Sequence, residues 1–204
     1  MPDRAIWLTA VVAVLALSAC GGSSATAPTT STPPSAARSS PAASSTGACP
    51  TQLTPTQTEG PYFKAGSPAR TSLIESGTTG TRLFLSGRVL TLACAPVTGA
   101  TLDFWQADAR GVYDNSGYRL RGHQLTDDGG RYSLETIVPG EYPGRTEHIH
   151  VKVQAPGKTV LTTQLYFPGV ARNQQDSIFD AHLLLTVQDT AAGKAATFDF
   201  VTSG

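Results

Sequence analysis

The chain lacks charge bias: 15 Lys and Arg stand against 15 Asp and Glu, with no basic cluster. A surface so balanced offers no footprint for a phosphate backbone, which argues against nucleic acid as a partner. Cysteine is scarce. Cys20, Cys49 and Cys94 form no CxxC pair, which makes a cysteine metal site a poor reading. No phosphate-cradling glycine loop occurs, and no stretch keeps a 3.6-residue apolar period over three turns, so helices have little basis here. The apolar run Ala5 to Leu17 falls short of the roughly 20 residues that cross a bilayer core.

That run has other company. A short basic start, Met1 to Arg4, precedes it and Leu17-Ser18-Ala19-Cys20 closes it, so residues 1–19 read as a secretory signal. The L-S-A-C sequence resembles a bacterial lipoprotein box, which makes Cys20 the lipidated first residue of the mature chain; a plain secretory peptide with a chance cysteine is the alternative. From Gly21 to Thr46 the composition is Ser, Ala, Thr, Pro and Gly, with Arg38 the only charge and no aromatic residue. Such a segment buries too little apolar surface to offset its ordering entropy, so residues 20–48 are read as a disordered tether with a reach of roughly 30 Å. These features predict an extracytoplasmic protein, lipid-anchored to the cell membrane and touching it only through that anchor. Export to an oxidising side predicts a Cys49–Cys94 disulfide, with two buried thiols as the alternative.

Residues 49–204 are enough for one domain with one substantial core. Alternating or β-rich runs occur at Thr81–Leu90, Ala100–Ala107, Gly130–Ile137, Glu147–Gln154, Val160–Phe167, His182–Val187 and Ala196–Val201, separated by turn clusters such as Pro139-Gly140 and Pro156-Gly157. The predicted fold is all-β, an antiparallel β-sandwich with the site on loops and one strand at the sandwich edge. In Glu147–Gln154, side chains alternate between faces: Ile149, Val151 and Val153 share one, and His148, His150, Lys152 and Gln154 the other. The imidazoles start about 7 Å apart along the backbone, a spacing from which two rings converge on one ion. Taken alone, the pair is weak evidence, and a surface or hydrogen-bonded arrangement is the commoner reading. Cupins also carry His-x-His on a strand, but follow it with a ligand Glu where this chain has Lys152 and Gln154.

Two phenols stand nearby, Tyr113 and Tyr142. Phenolate is a hard anionic donor suited to Fe(III), and imidazole binds first-row metals generally, so the four residues together point to iron. Two phenolates and a hydroxide cancel the ion's charge, which suits a partly buried pocket.

In order along the chain, Thr58-Glu59-Gly60-Pro61-Tyr62-Phe63, the run Asp103 to Tyr113, Pro139-Gly140-Glu141-Tyr142-Pro143, Arg145 to His150 and Thr163-Gln164-Leu165-Tyr166-Phe167 resemble the intradiol ring-cleavage dioxygenases. That family includes catechol 1,2- and protocatechuate 3,4-dioxygenases. The resemblance implies an Fe(III) cofactor held by Tyr113, Tyr142, His148 and His150, and Tyr142, Arg145 and Gln164 as catalytic residues. It implies that Tyr142 leaves the metal and takes a proton when substrate binds, that Arg145 stabilises anionic charge, and that Gln164 orients His150 or the departing hydroxide. Gly60, Pro61, Tyr62 and Arg145 fall at the substrate pocket, with ordinary packing an equal reading for Tyr62. The implied substrates are a small aromatic diol and O2, and the implied product a cis,cis-muconate. Two departures are visible: the Tyr142–Arg145 stretch is shorter than in the protocatechuate enzymes, and the tether replaces the helical dimerisation region of the catechol enzymes, which leaves substrate and oligomeric state open. A secreted β-sandwich module that binds aromatic compounds with a vestigial iron site is the reading from another functional class.

Overall fold

The computed structural model describes residues 51–203; the predicted signal and tether, with Cys20 and Cys49, lie outside the described residues. Nine strands occur among them: β1 Arg82–Thr91, β2 Thr101–Trp105, β3 Arg121–Leu125, β4 Arg131–Ile137, β5 His148–Gln154, β6 Leu161–Tyr166, β7 Thr186–Thr190, β8 Gly193–Thr197 and β9 Phe200–Thr202. Two short 3₁₀ turns, Ala171–Gln175 and Ala181–Leu183, follow β6. One sheet runs β3-β2-β5-β6 and the other β4-β1-β8-β7, with β9 also on β1. Between them lies one core, to which Leu83, Leu85 and Leu134 contribute from one sheet and Leu102, Phe104, Ile149, Val151, Val153 and Leu165 from the other. The β-sandwich is therefore as the alternating runs predict.

The purely antiparallel expectation needs correction. β1 pairs antiparallel with β4 but parallel with β8, over Leu83–Ser86, and with β9, over Val89–Thr91. The long β1 is served by two short strands because the chain bulges between them: Phe198 donates its backbone N–H to Ser86, and Asp199 caps the N–H of Arg88. Gly87 is required there, since a Cβ would lie 1.8 Å from the Phe198 carbonyl oxygen. The expected strand Ala196–Val201 is thus two strands, and the expected His182–Val187 begins as a 3₁₀ turn and becomes β7 only from Thr186. Sequence patterning misses β3 entirely. Its residues Arg121, Gly122, His123 and Gln124 show no apolar alternation because one face meets a covering segment instead of the core.

That covering segment places the site. Residues 54–68 strap across the outer face of the four-stranded sheet: Gln57 donates to Thr162 (2.8 Å), Thr163 to the Pro55 carbonyl (2.7 Å), Gln164 to the Thr58 carbonyl (2.9 Å) and His123 to the Pro68 carbonyl (3.0 Å). Lys152, where a cupin would place its Glu, pairs with Glu59 and lies 4.4 Å over the Phe63 ring. Ser67 closes the far end by donating to Asp103 (2.7 Å). Strand β5 is consequently buried on both faces, His148 and His150 as fully as Ile149 and Val151.

Candidate metal centre

On the outer face, Trp105, His150 and Gln164 stand side by side across β2, β5 and β6, with Arg121 opposite Trp105 on β3. His148 and His150, on alternate positions of β5, turn their rings toward each other until the two Nε2 atoms are 3.1 Å apart. His148 Nδ1 lies 2.6 Å from the Thr146 carbonyl. A carbonyl can only accept, so the ring proton sits on Nδ1 and the Nε2 lone pair faces the site. The His150 ring stacks on Trp105 (4.7 Å between centroids, 7°) with Gly60 against its edge. Its Nδ1 is buried without a partner. Burial, with the Arg145 cation adding to it, pushes the His148 imidazole down to about 4, and His150 also falls well below the usual range. Both are neutral donors at physiological pH.

The phenols arrive on two loops locked together. Asp108 shapes the first: its carboxylate accepts from the N–H groups of Arg110 (2.8 Å) and Val112 (3.0 Å), and its own carbonyl accepts from Gly111 and Gly140. The loop backbones approach so closely that a Cβ on Gly111 would lie 2.0 Å from the Glu141 oxygen and one on Gly140 would lie 2.5 Å from the Ala109 oxygen. Tyr142-Pro143-Gly144-Arg145 is a tight turn in which Arg145 donates to the Tyr142 carbonyl (2.9 Å); Pro at the second position and Gly144 at φ +80° suit a type II turn. The shortened loop is this turn. The Tyr113 hydroxyl lies 3.5 Å from His148 Nε2, and the Tyr142 ring stands 5.8 Å from that of Tyr113 and 5.6 Å from that of His148. Burial raises both phenols above their usual range, most strongly Tyr113, while the Arg145 guanidinium opposes the shift at each.

Gly60, Pro61 and Tyr62 lie on the strap. Tyr62 stacks on Tyr113 (4.3 Å, 17°), and with Pro61, Phe63, Lys64, Asn115 and Arg121 it lines a cleft of about 450 Å³. Tyr62 thus packs on Tyr113 and also borders this cleft, whose lining includes none of His148, His150, Tyr142 and Arg145. Gln164 stands across from His150, but its amide engages Thr58, Arg145 and Tyr166, with no hydrogen bond to that ring. Arg145 donates from Nε to Asp176 (2.9 Å) and from Nη2 to Gln164. His123 bonds the Ser67 carbonyl and His182 bonds Asp180, both away from the cluster. Cys94 is disulfide-bonded.

Sequence reasoning overlooks three contributors. Trp105 is the surface on which His150 rests, Asp176 engages Arg145, and Arg121 is fully buried with its guanidinium on the carbonyls of Tyr62 and Asp114. Only Trp105 has a readable signal, its place in the strand beside His150.

Chemically, the pocket gathers two neutral, buried imidazole nitrogens and two phenols, Tyr113 buried and Tyr142 half-buried. Ligand nitrogens about 2.0–2.1 Å from one ion lie roughly 3 Å apart, which is the separation seen. Among the described residues no group of three or more His, Cys, Asp or Glu could hold a metal, so a metal here depends on the phenols. Phenolate oxygen is a hard anionic donor, so two such groups beside two neutral imidazoles form a donor set that fits a hard trivalent cation.

A family model described as a dioxygenase matches residues 58–204. The chain is 30% identical over 148 residues to catechol 1,2-dioxygenase of Candida albicans (59% of this chain, 49% of that protein). It is 29% identical over 170 residues to 6-chlorohydroxyquinol 1,2-dioxygenase of Cupriavidus pinatubonensis (70% and 62%). The chain spans about half the length of the curated relatives it matches. Among solved structures, the dioxygenase domain of a dioxygenase and carbohydrate-binding protein fusion from Streptomyces sp. SirexAA-E superposes with a TM-score of 0.73 at 58% identity, covering 74% of this chain and 99% of that one. 3-Chlorocatechol 1,2-dioxygenase from Rhodococcus opacus 1CP gives 0.69 at 29% identity, covering 72% of each.

Proposed function

Because the chain belongs to the intradiol ring-cleavage dioxygenase family, we propose that it is an Fe(III)-dependent dioxygenase that opens a catechol-type ring between its two hydroxyl-bearing carbons. The bond between those carbons breaks, each becomes a carboxyl group carrying one atom of O2, and the product is a cis,cis-muconate. The observation that carries the reading is the convergence of His148 Nε2, His150 Nε2 and the Tyr113 hydroxyl in a buried pocket beside Tyr142. These four residues would hold the iron. Bound there, Fe(III) would supply a Lewis acid that chelates the diol and draws electron density from its ring.

The chain's own groups do the rest. Tyr142, on a half-buried turn, is the more accessible phenol; ionised as an iron ligand, its phenolate oxygen would be suited to accept a proton from the incoming diol. Arg145, aimed by Asp176 and Gln164, lies where it favours an anion at Tyr142 and on the substrate. The strap covers this face of β5, with Gly60 leaving the His150 ring edge free of a side chain of its own. Export and anchoring through a lipidated Cys20 belong to the same proposal, supported by the Ala5–Leu17 run and the L-S-A-C sequence.

The test is to load the protein with iron and offer catechol, protocatechuate and hydroxyquinol under labelled O2. A visible phenolate-to-iron band and a ring-opened product containing both oxygen atoms are expected. A colourless iron-saturated protein, or a semialdehyde from cleavage beside the hydroxyls, would overturn the reading.

A further inference from the structure

We infer that Asp176 is a positioning residue of this site, its single buried carboxylate fixing both the Arg145 guanidinium and, through the backbone of Thr146, the tautomer of His148. The inference rests on the reading proposed above for Arg145 and His148. Asp176 closes the 3₁₀ turn Ala171–Gln175, donating its own N–H to Arg172 (3.1 Å), and its side chain is 0% exposed. One oxygen, Oδ2, accepts from Arg145 Nε (2.9 Å) and from the Thr146 N–H (3.0 Å), and the other accepts from the Ile178 N–H (3.1 Å).

From Thr146 the connection continues. The carbonyl of this residue accepts the His148 Nδ1 proton at 2.6 Å, and its hydroxyl donates to Asn173 (2.6 Å), which is itself tied to the Phe167 carbonyl (2.9 Å). Residue 146 is thus held from both sides in a buried setting, and the His148 ring inherits that constraint. A histidine whose outer nitrogen is pinned presents its inner lone pair in one direction only.

The same carboxylate has an opposite electrostatic effect. Asp176 neutralises part of the charge that Arg145 could offer the pocket, so its presence is a loss if Arg145 acts by charge alone. It is a gain if direction matters, since an ion pair with a fixed donor holds the planar guanidinium in one pose. The two views predict opposite signs. Asp176→Asn separates them, because three N–H donors surround the carboxylate and an amide must turn its NH2 toward at least one.

The experiment uses the iron-loaded full chain with catechol as probe, comparing wild type, D176N, R145M and the double variant. D176N should lower kcat by about tenfold or more with KM within about twofold, and in the R145M background its effect on kcat should shrink to less than about twofold. An equal loss in both backgrounds, an unchanged kcat, or faster turnover would overturn the Arg145 half. For His148, ring nitrogen correlations of the ¹⁵N-labelled metal-free chain should show one Nδ1–H tautomer in wild type and a mixture in D176S and D176A, whose side chains are too short to reach the Thr146 N–H. A single unchanged tautomer in D176S would overturn that half, even if D176A does not fold. Wild type that turns over no catechol would instead sink the underlying reading, and the ring measurement would still decide whether Asp176 governs His148.

Discussion

His148 and His150 differ from the other two histidines by what surrounds them, and their difference is testable. Replacing either with Ala should abolish iron retention, whereas His123→Ala and His182→Ala should leave the iron-to-protein ratio unchanged, because His123 bonds the strap at Ser67 and His182 is 73% exposed beside Asp180. Equal iron content in all four variants would remove the basis of the site. The phenols should also part company: Tyr142→Phe should slow turnover while retaining some iron, and Tyr113→Phe, deeper and beside His148, should lose more iron and more colour. Acid gives a further test. The folded pKa of His148, about 4, lies below its ordinary value, so between the two the unfolded chain binds the extra proton and stability rises with pH. The metal-free protein should therefore lose stability as pH falls from about 6.5 toward 4, and His148→Gln should reduce that slope while leaving the part due to His150. A profile flat over this window in wild type would contradict the buried neutral imidazole. At this scale much was legible, since the alternation of β5 already put both rings on one face. Asp176 was not, because nothing in Gln174-Gln175-Asp176-Ser177 marks a carboxylate that reaches Arg145.

Elements show where patterning works and where it stops. Strands β1, β2, β4, β5 and β6 lie within or close to their expected ranges because each lays alternate apolar residues on a shared core. Strand β3 escapes because its side chains answer to the strap, and a covering segment without periodicity of its own cannot be seen in advance. The meeting of the two tyrosine loops is likewise invisible, although it depends on single residues. Gly111→Ala combines a positive φ (+79°) with a Cβ 2.0 Å from the Glu141 oxygen, so one loop must retreat. Tyr113 and Tyr142 would then separate, and iron retention should fall at least about tenfold, on the scale seen when ligand supports are lost. Gly77→Ala is the control: its φ is +80°, yet nothing lies within 4 Å of the added Cβ. It should cost only the left-handed strain, about 1 kcal/mol, and leave iron binding intact. Similar iron loss in both variants would show that backbone strain, and not the loop contact, was measured.

At the scale of the whole molecule, the sandwich supplies rigidity, and attachment through the N-terminal segment is part of the proposal. Cys94 sits in the β1–β2 connection at φ +61°, where its N–H bonds the Thr91 carbonyl, and it is disulfide-bonded. With Cys49 as the expected partner, closing a loop of this length contributes roughly 4 kcal/mol in the chain-entropy model, so Cys94→Ser should lower stability by a comparable amount in the oxidised protein. Free thiol at both positions in secreted wild type would refute the bridge. The folded part was legible in outline, because alternating runs begin only after the polar low-complexity stretch ending near Thr46, and the described strands start at Arg82. What remains is how the protein is held. A diacylated cysteine before a flexible segment confines the domain to the membrane surface without contributing to its core, whereas an uncleaved apolar run would do the same by insertion. The two arrangements respond differently to one substitution. Cys20→Ser removes the expected acylation site, so the protein should leave the membrane fraction while its iron content and catechol turnover stay within about twofold, the strap and both sheets being built from residues 54–202. Protein that remains membrane-bound after this change would mean that Ala5–Leu17 is itself the anchor, and lost turnover would mean that the tether reaches the site.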